Sequence, residues 1–130
     1  MTGMKTARYA KMGMCPPKPA LGRRPLLSGE QATRLMNVFK VLANDTRLRM
    51  LHALARDGEV CVTELAGRVG MKAQAVSNQL QRLANERIVG SQRVGNHVFY
   101  SILDPCVTAL IDRGLCLIED STNRDQRKER

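Results

Sequence analysis

The stretch MKAQAVSNQLQRLANERIVGSQRVGNHVFYSIL, residues 71–103, decides the fold. Val76, Leu80 and Leu83 recur at four and three residues, which predicts a helix with one apolar stripe. On that helix Gln74, Asn78 and Gln81 fall opposite the stripe, and no carboxylate appears before Glu86. An amide face free of acids can lie against phosphates and offer paired donor and acceptor groups to base edges. The following segment, Arg93-Val94-Gly95-Asn96-His97-Val98-Phe99-Tyr100, reads as a β-hairpin with Gly95-Asn96 at its turn and Val98 and Tyr100 on one face. A polar reading helix followed by a basic-tipped hairpin is the layout of a winged helix-turn-helix.

Upstream of this pair the helical pattern continues. Ser28 followed by Gln31 is a capping-box signature, and Leu35, Met36, Phe39 and Leu42 form the expected buried stripe of a first helix. Asn44-Asp45 caps a second helix, with Leu48, Leu51, Leu54 and Ala55 expected inside and Asp57-Gly58 at its end. Glu59-Val60 leads into a short third helix that opens near Cys61-Val62-Thr63 and closes at Gly70. The turn Gly70-Met71-Lys72 then joins it to the reading helix. After the hairpin, Asp104-Pro105 starts a last helix, since Asp caps well and Pro is preorganised in a first turn.

The fold class expected is therefore mainly α with a small β-hairpin wing. The last helix carries Val107, Leu110, Ile111, Leu115 and Ile118 on more than one face. A small domain cannot bury both faces against itself, which predicts a homodimer formed through terminal helices. Two-fold symmetry would then set the two reading helices about one DNA turn apart.

The 130 residues and their 3% aromatic content fit one domain with a small core of Leu, Val, Ile and Ala. The formal charge of +9 is uneven, because residues 1–27 hold six basic residues and no acid while residues 119–130 balance four against four. Three segments follow: a basic N-terminal arm (1–27), a winged helix-turn-helix and dimerisation domain (28–120), and a charged tail expected to be disordered (121–130). Basic balance points to an anionic partner such as nucleic acid. No apolar run is long enough for a signal peptide or a membrane span, which predicts a cytoplasmic protein without a membrane partner. In a reducing cytosol the four cysteines read as thiols for packing, metal or redox chemistry, not as a disulfide framework. No nucleophile elbow, phosphate loop or Cys/His dyad is visible, and the two histidines leave few general bases, so an enzyme is not expected.

Leu42-Ala43-Asn44-Asp45-Thr46-Arg47-Leu48-Arg49, Glu59-Val60-Cys61-Val62-Thr63-Glu64-Leu65-Ala66, Ala75-Val76-Ser77-Asn78-Gln79-Leu80 and Gly95-Asn96-His97-Val98-Phe99-Tyr100 resemble, in order, the signatures of the ArsR/SmtB repressors. The resemblance covers roughly residues 30–120. It implies a homodimeric repressor of operator DNA that lets go when its inducer, a metal or metalloid ion, binds. Gln74, Ser77, Asn78 and Gln81 are the expected major-groove readers, and Lys72, Arg82, Arg93 and His97 the expected contacts to phosphates or the minor groove.

Such relatives place inducer ligands either at the start of the third helix with help from the arm, or along the last helix across the dimer. Here Cys61 and Cys15 stand in the first place, with Glu64 one turn on and Thr63 where a second cysteine is frequent. Asp104, Cys106 and Asp120 match positions of the second place, but the fourth is Leu117, and Cys116 lies about 80° off the face of Cys106. The candidate metal thiols are thus Cys15, Cys61, Cys106 and Cys116, and spacing leaves open which set is used. A bare Cys61 reads more readily as a small core hydrophobe than as a ligand, and the family position brings the two readings level, while Cys116 beside Leu115 and Leu117 reads as interface packing ahead of ligation. The inducer implied is a thiophilic ion such as arsenite, mercury, cadmium or lead. The alternative is a repressor of the same fold that responds through thiol oxidation or persulfide formation.

Overall fold

A computed structural model of the chain describes residues 17–120. Cys15, most of the basic arm and the tail expected to be disordered lie outside the described residues. Five α-helices and three strands follow a single-turn 3-10 segment at Leu21–Arg23: α1 Gly29–Leu42, α2 Asp45–Asp57, β1 Val60–Cys61, α3 Val62–Val69, α4 Ala73–Asn85, β2 Val89–Val94, β3 His97–Ile102 and α5 Pro105–Glu119.

The helix starts follow their caps. Ser28 Oγ accepts from the Gln31 amide while Gln31 Oε1 accepts from the Ser28 amide, both at 3.1 Å, completing the expected capping box. Asn44 Oδ1 accepts from the Arg47 amide at 3.0 Å to open α2, and Asp104 Oδ1 accepts from the Cys106 amide at 2.8 Å to open α5. Gly70 ends α3 in the left-handed region at φ 69°, where a Cβ is penalised, and its amide donates back to the Ala66 carbonyl. That stop turns the chain into α4.

Val76, Leu80 and Leu83 of α4 are fully buried, as their spacing predicts. They pack with Met50, Leu51 and Leu54 of α2, Leu65 of α3 and Val60 and Val89 of the sheet into one core. Each such side chain contributes on the order of 2 kcal/mol of burial. Helix α4 is therefore seated on the centre of the domain.

The sheet exceeds the expected hairpin. β2 and β3 pair antiparallel from Val89↔Ile102 to Val94↔His97, and Gly95 takes φ 63° while Asn96 keeps an ordinary φ, the pattern of a type II′ turn. A third strand, β1, joins the other edge of β3 with Val60↔Tyr100 and Cys61↔Phe99. Two residues carry no readable alternation, so the sequence treats them as a lead-in to α3.

The phases of two helices differ from expectation. In α2 the buried residues are Arg47, Met50, Leu51 and Leu54, while Leu48 faces out. In α1 Leu42 is buried, but Leu35, Met36 and Phe39 remain exposed at 44%, 44% and 47%. In α5 the one fully inward residue is Val107, with Leu110 and Ile111 half-buried and Leu115, Leu117 and Ile118 exposed. Two helices at the ends of the domain thus present apolar surface to solvent. Among the described residues no helix is long and apolar enough to cross a membrane.

Candidate nucleic-acid interface and thiol sites

The face of α4 turned away from the core carries Gln74, Asn78, Gln81 and Arg82, all exposed. Gln74 Nε2 donates to Asn78 Oδ1 at 3.1 Å, which holds the two amides in one ordered pair at (i, i+4) spacing. No acidic residue stands in the first turn, so the positive end of the helix dipole is unopposed there. Lys72 occupies the N-cap and is exposed. Ser77 is half-buried on the flank.

The hairpin stands beside this face. Ala73, Gln74 and Ser77 of α4, Asn96, His97 and Val98 of the wing, and Cys61, Val62 and Thr63 at the start of α3 line one open cleft of about 320 Å³. The His97 ring meets Phe99 edge-on with 6.4 Å between centroids. Arg93 is exposed on β2. All eight residues expected to touch nucleic acid therefore lie on α4, on its cap or on the wing.

The thiols divide. Cys61 is the half-buried N-cap residue of α3, and its sulfur lies 3.4 Å from the Thr63 hydroxyl. That hydroxyl, and then the Glu64 backbone amide, hold the Cys61 thiol below the usual thiol range, against burial and the Glu64 charge. Glu64, the acidic group expected near Cys61, sits 3.7 Å from the Arg68 guanidinium. Cys106 and Cys116 are both half-buried on α5. Ten residues of helix place them about 15 Å apart along the axis, so one ion cannot join them within a protomer. Asp104 spends one carboxylate oxygen on the helix cap. Among the described residues no three His, Cys, Asp or Glu side chains gather as a metal site.

One pair of residues escaped the sequence reading. Arg47 is buried, and its Nε donates to Gln79 Oε1 on α4 at 2.6 Å while its Nη1 donates to the Val41 carbonyl at 2.9 Å. An arginine early in a helix gives no local sign that its side chain will fold inward.

Residues 44–91 match the family described as "bacterial regulatory protein, arsR family". The chain is 42% identical over 79 residues to a transcriptional repressor SmtB homolog of Synechocystis, a match covering 61% of this chain and 59% of that protein's length. The crystal structure of the AntR antimony-specific transcriptional repressor superposes with a TM-score of 0.72 at 56% identity, covering 85% of this chain and 99% of that one. A homodimeric winged helix-turn-helix DNA-binding domain from Mycobacterium bovis, described as a possible ArsR-family regulator, gives a TM-score of 0.66 at 28% identity over 78% of this chain and 95% of that one. With α4, the wing and the connecting turn all in place, this chain belongs to the arsR family of bacterial regulatory proteins.

Proposed function

We propose that this chain is a transcriptional repressor that binds operator DNA as a homodimer and releases it when a thiophilic metal or metalloid ion binds. The observation that carries the reading is the acid-free face of α4, with Gln74 and Asn78 already ordered beside the wing. Gln74, Ser77, Asn78 and Gln81 read base edges, and Lys72, Arg82, Arg93 and His97 hold the backbone. Dimerisation through α1 and α5 would cover Leu35, Met36, Phe39 and Leu115.

Among the thiophilic ions, the likeness to an antimony-specific repressor favours a trivalent metalloid, arsenite or antimonite. Soft thiolates suit such an ion. Neither candidate site is complete within one described protomer. Cys61 needs a second thiolate, for which Cys15 of the arm is the sequence candidate. On α5, Cys106 and Cys116 lie at equal distances in sequence from Ile111. An antiparallel crossing at that residue would bring Cys106 of one protomer to the partner subunit's Cys116 and make two equivalent dithiolate positions. Bound ion would then favour a dimer geometry that no longer matches successive grooves, and a preference of a few kcal/mol suffices.

The test is titration of the apo-dimer with arsenite and antimonite while thiolate-to-metal absorption and DNA release are followed together. Asn78→Ala is expected to weaken operator binding without unfolding. Cys61→Ser and the Cys106→Ser/Cys116→Ser pair separate the two sites: the variant that keeps DNA affinity but loses release identifies the one used. Full release in both, with no absorption band in wild type, would remove metal sensing. A second reading, response by thiol oxidation or persulfide formation, is favoured by the depressed Cys61 thiol. A covalent mass increase at Cys61 after polysulfide treatment, coupled to DNA release, would establish it.

A further inference from the structure

Arg47 is the one charged side chain buried among the described residues, 8% exposed. Burial, and then the positive charge of Arg82, work against its protonated form. Two neutral acceptors hold it in place. One is the Val41 carbonyl in the last turn of α1, one of the groups that a helix C-terminus leaves without an intrahelical partner. A cation there also meets the negative end of the α1 dipole. The other is Gln79 on the flank of α4, one residue along from Asn78. A planar guanidinium can hold two acceptors in fixed directions at once, which a lysine ammonium cannot do with the same rigidity.

Resting on the reading of α4 as the DNA-reading helix, we infer that Arg47 is a positioning residue that fixes the rotation of α4 about its axis against the C-terminal end of α1, tying base readout to the helix proposed above to line the dimer seam. The lever is short. At a side-chain radius of about 5 Å, a rotation of about 20° displaces the Asn78 amide by about 2 Å, more than the distance range of a hydrogen bond allows. Gln79 thus acts as an anchor, while its neighbours Asn78 and Gln81 do the reading.

The probe is a duplex selected by the wild-type chain from a randomised pool, with an unrelated duplex as reference. Gln79→Ala, which leaves the buried Arg47 guanidinium one acceptor short, is expected to stay folded with a lower melting midpoint, to bind the selected duplex about tenfold more weakly, and to bind the unrelated duplex unchanged. Its salt dependence should stay as steep, because lost positioning is not a lost phosphate contact. Arg47→Lys should show the same loss of discrimination, and in the double variant the two losses should not add. Full discrimination in Gln79→Ala overturns the tie. So do equal losses on both duplexes, a salt slope shallower by about one, or additive losses in the double variant. If Arg47→Lys does not fold, hydrogen exchange in Gln79→Ala decides, with faster exchange confined to α4 expected and unchanged exchange overturning the inference. Asn78→Ala separates the two levels. If it too keeps full discrimination, α4 is not the reader; if it loses discrimination and Gln79→Ala does not, only the tie falls.

Discussion

Replacing Phe39 by alanine tests the seam that the proposed dimer requires. Phe39 is 47% exposed in the single chain, so of the roughly 200 Å² that a phenylalanine side chain can bury, about 100 Å² is still in contact with water. At about 25 cal/mol per Å², covering it contributes about 2.5 kcal/mol, and a two-fold axis counts the residue twice. Alanine retains part of that area, which leaves an expected loss of about 3–4 kcal/mol, or a dimer dissociation constant several hundred-fold higher. The protomer should not suffer, because that face of Phe39 is outside the core. Sedimentation velocity over a concentration series reads the dissociation constant, and circular dichroism checks that helix content is kept. A dissociation constant within threefold of wild type, with the fold intact, would take α1 out of the interface.

Two further outcomes are expected. Arg87 holds φ 60° in the turn from α4 to β2, a conformation that costs an L-residue about 1–2 kcal/mol; Arg87→Gly, discounted for the greater freedom of the unfolded glycine, should raise stability by about 0.5–1 kcal/mol, read as a thermal midpoint a few degrees higher. The Cys61 thiol titrates below the unfolded one, so the native state binds fewer protons across that window. Its contribution to stability is fully present above the unfolded thiol pKa and is lost as pH falls through the native one. Iodoacetamide alkylation of Cys61 against pH should inflect below the usual thiol range and move upward in Thr63→Val, and an inflection that stays put would remove the hydroxyl as the cause.

What the sequence displays, and what it conceals, follows from what its hydrophobic pattern records. Val76, Leu80 and Leu83 were legible because the surface they bury against is their own domain's core, and Gly95-Asn96 because a two-residue hairpin demands a positive φ. Leu35, Met36 and Phe39 repeat with the same helical spacing yet face outward in the protomer, since periodicity marks a face that is to be covered without saying by which chain. β1 was hidden because two residues become a strand only through pairing with β3, which lies far along the chain. In the candidate site, the eight residues expected to meet DNA fall on α4, its cap or the wing because those elements are locally specified. Gln79 was not separable from Gln74 or Gln81, as an anchoring amide and a reading amide are the same side chain. Arg47 was concealed for a similar reason: its role depends on acceptors brought to it from α1 and α4.

The pairing of Val60 and Cys61 with Tyr100 and Phe99 has a mechanical consequence. It stitches the returning limb of the wing to the residues that open α3, while α3 turns directly into α4, so hairpin and helices travel as one jaw of a caliper. In the proposed dimer, what an inducer would adjust is the gap and tilt between two jaws, and the bound and released states would then differ chiefly in the separation of half-sites they accept, more than in the bases within each half.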